Sequence, residues 1–123
     1  MKIKTADLIG PALDWAVAQL EGKVHGYKHQ LVDDCRQVVS YSPSTNWSQG
    51  GPLIERENLG LEKHRLDGPY QWAACDWHPV VVQGYTCLER SKYAYGPTQL
   101  IAAMRCLVAA TLGDEVDVPD ELV

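Results

Sequence analysis

The sequence predicts an α+β fold: a small, mainly antiparallel sheet with two principal helices, one near each end of the chain. Amphipathic segments with helical start and stop signals lie near both ends. Between them, short β-branched and aromatic segments alternate with turn formers, and strands grouped between helices are typical of this class. The 123 residues, 46% of them hydrophobic and 22% charged, predict a single domain over residues 1–123.

The first helix has clear boundary signals. Thr5 is predicted to cap a short turn through Ile9, Pro11 suits the first position of a helix, and Gly22 ends it. Its apolar positions follow the spacing i, i+3, i+4 and i+7: Leu13, Ala16, Val17 and Leu20. Trp15 lies at the edge of this face, where we expect it to cover the core.

The second helix is predicted from about Pro97 to Leu112, with Thr98 as its cap and Gly113 at its end. One side carries large apolar residues and the other small ones: Leu100, Ile101, Met104, Leu107 and Val108 against Ala102, Cys106 and Ala109. A helix that is apolar almost all round is covered on more than one side. The first helix is expected on the small side, and a second subunit is the alternative.

Strands are expected between the helices and at the end of the chain. The segments that favour strands are Arg36–Tyr41, Leu53–Glu57, Tyr70–Asp76 and Val80–Tyr85, with His78-Pro79 between the last two and an edge strand at Val116 and Val118. The stretch from Ser42 to Pro52 is rich in turn formers, and we expect a surface loop there. Loops of that length are often functional.

Charge and hydropathy exclude several classes. The segment 114–123 contains five acidic residues and no Lys or Arg, which leaves eleven acidic and eleven basic residues elsewhere. No basic stripe is present, so we expect no nucleic-acid binding at physiological salt. The longest apolar stretch is too short to cross a bilayer, and no apolar run follows Lys2 and Lys4. We therefore expect no signal peptide, no membrane association, and a cytoplasmic protein.

The cysteines and histidines suggest a metal site only weakly. His25 and His29 are four residues apart and precede Asp33, Asp34 and Cys35, and Cys75 and His78 form a C-x-x-H. No second paired motif completes a tetrahedral set, so no metal or other cofactor is predicted. Without a secretory signal, the four cysteines are expected to be free thiols.

No catalytic residues are predicted. No nucleophile elbow surrounds any serine or cysteine, and neither Gly50-Gly51-Pro52 nor Gly96-Pro97-Thr98 is a phosphate-binding fingerprint. Glu55 and Glu57 would share one side of a strand as a carboxylate pair, but a solvated strand face explains them equally well. Whether the chain is an enzyme stays uncertain, and these patterns do not favour it.

The contact surface is predicted around the turn-rich stretch, with Trp47 as its anchor. Trp47 is a large ring among turn formers, and either covers the core or contacts a partner. Arg105, the single charge in an apolar helix, is expected to pair with a carboxylate or carbonyls at the core edge, and gripping an anionic ligand is the alternative. The predicted surface comprises Ser42, Ser44, Thr45, Asn46, Trp47, Gly50, Gly51, Arg56 and Arg105.

Several separate motifs, in order, resemble one family over nearly the whole chain. They are Leu13–Ala18, Tyr41–Trp47, Gly50–Glu57, Trp72-Ala73, Gly96-Pro97-Thr98, Leu100–Arg105 and Gly113–Val116 with Val118-Pro119. The family is that of the NinX-like proteins of tailed phages and their prophages. The resemblance implies a phage accessory protein of unknown function made in the bacterial cytoplasm, without established catalytic residues.

The neutral body, acidic end and Trp-bearing stretch favour a non-enzymatic interaction or regulatory module. Its expected partner is a host or phage protein, and a homodimer stays open. The alternative is a small-molecule-binding protein or minor enzyme with a pocket near the 42–56 loop. A deep pocket with converging polar groups would favour the alternative, and an exposed aromatic patch would favour the interaction module.

Overall fold

The computed structural model describes residues 1–21, 30–32, 38–65 and 70–122. Within them lie three α-helices, α1 (Gly10–Glu21), α2 (Trp47–Arg56) and α3 (Gln99–Leu112), and short 3-10 helices at Thr5–Asp7 and Asp120–Leu122. The strands are β1 (Lys2–Lys4), β2 (Gln30–Val32), β3 (Val38–Ser40), β4 (Leu59–Arg65), β5 (Tyr70–Val82), β6 (Tyr85–Arg90), β7 (Ala94–Gly96) and β8 (Glu115–Asp117).

Every pairing among these strands is antiparallel. The main sheet is built on β5, which pairs with β4 and β7 along its first half and with β6 along its second half. The ends of the chain meet in the β1–β8 pair, and β2 pairs with β3. The predicted α+β class with a mainly antiparallel sheet is confirmed. No helix within the described residues has the length and hydropathy needed to cross a membrane.

The first helix is confirmed within one residue at each end. Its buried residues include Leu13, Ala16 and Val17, and Trp15 packs half-buried against the core. The predicted capping role of Thr5 is wrong, because its hydroxyl donates to the Gly113 carbonyl at 2.6 Å. This side chain therefore ties the start of the chain to the end of α3.

The second predicted helix is α3, and its cap and stop are also confirmed. The Thr98 hydroxyl accepts from the Ile101 amide at 3.1 Å, and Gly113, with φ of 91°, ends the helix. The helix is buried on two sides, as its composition predicts. Its large residues, among them Met104 and Val108, pack in one cluster with Leu13 of α1.

The expectation that α1 covers the small side of α3 is wrong. Ala102 and Cys106 pack against Ala74 of β5, so the sheet covers this side. Small side chains allow the backbone of a strand to come close to the helix. At Gly96 of β7, an added Cβ would lie only 2.7 Å from the Ala102 amide nitrogen.

The segment predicted as a loop followed by a strand contains a helix instead. The carboxamide oxygen of Asn46 accepts from the Ser48 amide at 3.0 Å, and α2 follows as far as Arg56. Its buried Gly50 and Leu53 are three residues apart, which is helical spacing. The Gly-Gly-Pro sequence disfavours a helix locally, but packing of this face against the body outweighs the local preference.

The predicted strand Tyr70–Asp76 begins at the correct residue, but its separation from the predicted strand Val80–Tyr85 is wrong. β5 continues through His78 and Pro79, and the chain turns at Gln83 and Gly84, both with positive φ. Positive φ at both central residues is the type I′ hairpin turn, which makes Val82 and Tyr85 a hydrogen-bonded pair. By alternation, the nitrogen of Pro79 points away from β6, so β5 keeps its ladder with β6 despite the proline.

Two adjacent glycines of α2 provide a matched test of this packing. A Cβ at Gly50 would collide with the backbone carbonyl oxygen of Pro43, whereas a Cβ at Gly51 would make ordinary contact with the Trp47 ring at 3.8 Å. Gly50→Ala should therefore lower the free energy of unfolding by about 1–3 kcal/mol. Gly51→Ala should raise it by up to about 1 kcal/mol, because alanine is the better helix former. Urea denaturation of the two variants measures both, and equal effects would contradict the close packing of Gly50.

Candidate functional site

A short turn places Trp47 at the start of α2. The amides of Thr45 and Asn46 donate to the Ser42 carbonyl at 3.1 and 2.8 Å, and the side chain of Gln49 accepts from the Ser42 amide at 2.6 Å. These bonds fix the backbone immediately before the helix. Trp47 is 52% exposed, so it does not cover the core in the way that a lid would.

The Trp47 ring borders a groove of about 430 Å³, here called the Trp47 groove. Trp72 of β5 and the N-terminal end of α3 form other parts of its lining. Besides the two tryptophans, the lining residues are Ser44, Thr45, Pro97, Thr98, Gln99, Leu100 and Ile101. The groove combines two indole rings and aliphatic side chains with hydroxyl and amide groups. It is suited to an apolar side chain flanked by a polar backbone.

The predicted contact residues separate into groups. Thr45 and Trp47 are exposed, and Ser42, Asn46 and Gly51 are partly exposed around the turn and the first part of α2. Ser44 and Gly50 are buried, and they support the turn from within rather than form its surface. Ser44 is held by its amide, which donates to a carboxylate oxygen of buried Asp14 at 2.9 Å.

The two predicted arginines lie in other places. Arg56, at the end of α2, donates to Glu21 at 3.0 Å and to Glu57 at 2.8 Å. Since Glu55 is helical and Glu57 follows the helix, the strand on which both interpretations of these two carboxylates depended is not present there. Arg105 donates from Nε to the Leu8 carbonyl and from Nη1 to the Tyr95 carbonyl, each at 2.8 Å. Its predicted pairing with carbonyls at the core edge is confirmed.

Arg105 also lines a larger cleft of about 740 Å³, here called the Arg105 cleft. Small residues of α3, Cys106 and Ala109 among them, form part of its wall, and Tyr93 and Tyr95 form another. Charges of both signs line it as well: Lys4, Lys92, Asp114 and Glu115. Burial lowers the pKa of the Arg105 guanidinium from its usual value. Because Arg105 donates to two backbone carbonyls of the protein itself, its role is structural.

A polar cluster on the main sheet has no counterpart in the sequence predictions. Glu62 accepts from Tyr93 at 3.1 Å and pairs with His64 at 2.9 Å, and the Tyr93 ring packs edge-on to His64. The His64 contact, followed by the Tyr93 contact, lowers the pKa of the Glu62 carboxyl. The two-residue spacing of Glu62 and His64 was the available signal, but only the fold brings Tyr93 beside them.

The cysteines of the described residues are free thiols, and two of them are poor nucleophiles. Cys75 and Cys106 are buried and Cys87 is exposed. Burial raises the pKa of the Cys106 thiol to about 12 and also raises the pKa of Cys75. A thiol that stays protonated at neutral pH does not initiate nucleophilic catalysis.

Among the described residues, no three His, Cys, Asp or Glu side chains converge as a metal site. Cys75 is buried within β5, whereas His78 is exposed three residues further along the strand. Side chains three apart on a strand point to opposite faces, so this C-x-x-H does not converge. His25, His29, Asp33, Asp34 and Cys35 lie outside the described residues.

Comparison with known proteins finds a similar solved structure and a matching family. A crystal structure of a phage protein from Bacillus cereus ATCC 14579 has a similar fold, with a TM-score of 0.54 and 17% identity over 90% of this chain and 94% of that chain. The family model described as bacteriophage P22 NinX matches residues 4–111. The chain belongs to this NinX family, which confirms the resemblance. No curated protein shows significant sequence similarity to the chain.

Burial of ionisable groups predicts a loss of stability at alkaline pH. Burial raises the pKa values of Tyr41 and Cys106 to about 12, from ordinary values of 10.0 and 9.0. The unfolded chain therefore loses these protons at lower pH than the folded chain. The free energy of unfolding should fall from about pH 9 towards pH 12, by up to about 1.4 kcal/mol per pH unit for each group.

Urea denaturation at several pH values measures this dependence. Cys106→Ala should flatten it between about pH 9 and 12, because one of the two groups is removed. Cys87→Ala is the matched control, since Cys87 is exposed and no comparable burial acts on it. An unchanged slope in the Cys106 variant would contradict the assignment.

Proposed function

We propose that this NinX-family chain is a non-enzymatic interaction module that acts in the bacterial cytoplasm by binding a host or phage protein. The observation that carries the proposal is the half-exposed Trp47 ring beside the Trp47 groove. Tryptophan is among the residues most enriched where binding energy concentrates.

Preorganisation supports this role. The turn hydrogen bonds to Ser42 and the Asn46 cap hold the backbone on both sides of Trp47. A ring carried on a fixed helix loses little backbone entropy when it is covered by a partner. The chemistry of the groove fits an extended segment that places an apolar or aromatic side chain between the two indoles. Its polar groups can pair with the backbone of that segment.

The polar clusters support binding rather than catalysis. Glu62 is hydrogen-bonded to both His64 and Tyr93. Burial, followed by the hydrogen bond to Glu62, raises the pKa of the Tyr93 hydroxyl. A tyrosine with a raised pKa is a weak acid, and Glu62 with a lowered pKa is a weak base. Tyr93 and Glu62 are therefore poorly matched to proton transfer at neutral pH.

The size of the Arg105 cleft favours a second candidate function, the binding of a small molecule. A cleft of about 740 Å³ lies within the range of ligand sites, roughly 300–1,000 Å³. It is not the pocket expected beside the 42–56 loop, because its walls come from α3, the residues around β7, and both ends of the chain. A compound with an apolar body and charges of both signs fits this lining.

A fragment screen by thermal shift tests the second candidate. Compounds bound in the Arg105 cleft should raise the melting temperature of the protein. Ala109→Trp fills the wall of the cleft and should abolish these shifts, while Thr45→Ala, at the other groove, should preserve them. Hits that bind Ala109→Trp equally well would rule out the cleft as their site.

The interaction proposal predicts that Trp47→Ala separates binding from stability. The free energy of unfolding should change by less than about 1 kcal/mol, because the ring is half exposed. Capture of the partner should fall at least about tenfold, as for an interface hot spot. Partner capture is measured by photo-crosslinking from Thr45 in lysate of phage-infected cells, followed by mass spectrometry.

Leu112→Ala provides the control. Leu112 is 42% exposed, a fraction similar to the 52% of Trp47. It lies, however, at the opposite end of α3 from the Trp47 groove. It should leave capture unchanged. If Trp47→Ala is stable and captures the same proteins as strongly as the native chain, the Trp47 groove is not the contact surface.

A further inference from the structure

The second half of β5 and the whole of β6 extend away from the body as a two-stranded arm, residues 77–90, here called the projecting hairpin. All six residues of β6 are exposed, and so are Trp77, Val81 and Val82 of β5. By contrast, Ala73, Ala74 and Cys75 in the first half of β5 are buried. One strand therefore changes from a buried to a largely exposed environment along its length.

The projecting hairpin is apolar on both faces. Directly opposed residues share a face, so Trp77, Pro79, Val81 and Leu88 lie on one face and Val80, Val82, Tyr85 and Cys87 on the other. Exposed fractions reach 68% at Leu88, 73% at Val81 and 76% at Tyr85. Large apolar residues exposed together in this way mark an interaction surface.

The backbone of β6 is also open on its outer edge. It pairs with β5 and with no other strand of the described residues. Because Val82 and Tyr85 close the turn as a hydrogen-bonded pair, the backbone groups that point outward belong to Thr86, Leu88 and Arg90. A free edge of this length is a template for a further strand.

We propose that this edge binds a second copy of the chain, with the two β6 strands paired antiparallel about a two-fold axis at Cys87. Two hairpins so joined form one four-stranded sheet. An isolated two-stranded hairpin is only marginally stable in water, whereas three or more strands with an apolar face are stable. Pairing therefore supplies what the projecting hairpin lacks.

The exposed area fits a small dimer contact. Tyr85 and Leu88, the large apolar residues on β6 itself, leave on the order of 300 Å² exposed, given about 150–250 Å² for each full aromatic side chain. Small, weak interfaces bury up to about 600 Å² on each partner. The outer backbone edge of β6 and the exposed side chains of Thr86 and Cys87 provide the remainder. A two-fold contact uses the same patch on both subunits, which suits one self-complementary arm.

Charge is compatible with a second copy and disfavours one of the neighbouring registers. Apart from His78, the ionisable charges of residues 77–90 are Glu89 and Arg90, which cancel, although the chain carries a net charge of −5. Two such arms therefore approach without repulsion. Pairing centred on Leu88 would bring the two Glu89 carboxylates to diagonal positions, where like charges are unfavourable. Pairing centred on Cys87 places Glu89 opposite the partner subunit's Tyr85 instead.

Two proline substitutions on one rung of the hairpin test the edge. Thr86 and Val81 face each other, and the amide of each points outward, Thr86 along β6 and Val81 along β5. The native chain should sediment at twice the 13.7 kDa of one chain at high micromolar concentration. Thr86→Pro removes one inter-subunit donor from each subunit, two in the dimer, and this variant should sediment as a monomer. Val81→Pro perturbs the same hairpin equally and should stay dimeric.

If the native chain is monomeric, the proposal is overturned, and the occupant of the projecting hairpin would be a different protein. Loss of the dimer in Val81→Pro but not in Thr86→Pro also overturns it, because the contact would then lie along β5. Trp47→Ala should remain dimeric, so failure of the Trp47 groove as a contact surface is separate from failure of this interface. If both proline variants are monomeric, cross-linking of the native chain at Cys87 decides whether the contact lies along β6.

Cross-linking at Cys87 tests the register without disturbing the backbone. Directly opposed residues at a non-hydrogen-bonded position have Cα atoms about 4.5 Å apart, within the reach of a disulfide. Diamide takes two electrons and two protons from the paired thiols and should yield a covalent dimer. Cys35→Ser should still cross-link, and Cys87→Ser should not. A dimer that does not cross-link through Cys87 overturns the proposed pairing.

Discussion

The burial of α3 on two sides is the constraint on which the rest of the structure depends. Met104 and Val108 close the core with α1, while Ala102 and Cys106 face the sheet. The absence of a side chain at Gly96 lets β7 approach the backbone of α3 at Ala102. Arg105 then fixes both layers, because its guanidinium donates to carbonyls before α1 and on β7. A single helix thus sets the positions of the strands and of both ends of the chain.

This arrangement explains why one strand has two different environments. α3 covers β5 only along the part where Ala74 meets Ala102 and Cys106, and β4 pairs with β5 only as far as Asp76. Beyond Asp76, β5 retains a single partner among the described strands, β6. The apolar sequence nevertheless continues to Val82. The apolar side chains of a strand that extends beyond the core have fewer partners within the molecule, and the most exposed of them, such as Val81, are available for contacts between molecules.

The parts of the fold that could be predicted are those with strong local signals. α1 and α3 have caps, stops and regular apolar spacing, and the environment of Arg105 follows from one charge on an apolar helix. α2 could not be predicted, because Gly50, Gly51 and Pro52 disfavour a helix and only contacts with Pro43 and Leu100 explain Gly50. The hairpin turn was missed because glutamine at Gln83 is not a usual residue for positive φ. The Arg105 cleft joins residues more than a hundred positions apart, which no local pattern reveals.

The two proposed surfaces lie at different points along the same strand. Trp72, in the Trp47 groove, and Val82, at the tip of the projecting hairpin, are ten residues apart on β5, roughly 33 Å in an extended strand. In the proposed dimer the hairpins meet at the two-fold axis, and each subunit presents one Trp47 groove away from it. A partner with two suitable segments would then bind both grooves, the second at a high effective concentration. Modest affinity at each groove is then sufficient for firm binding, which is how a groove of only about 430 Å³ can serve an interaction module.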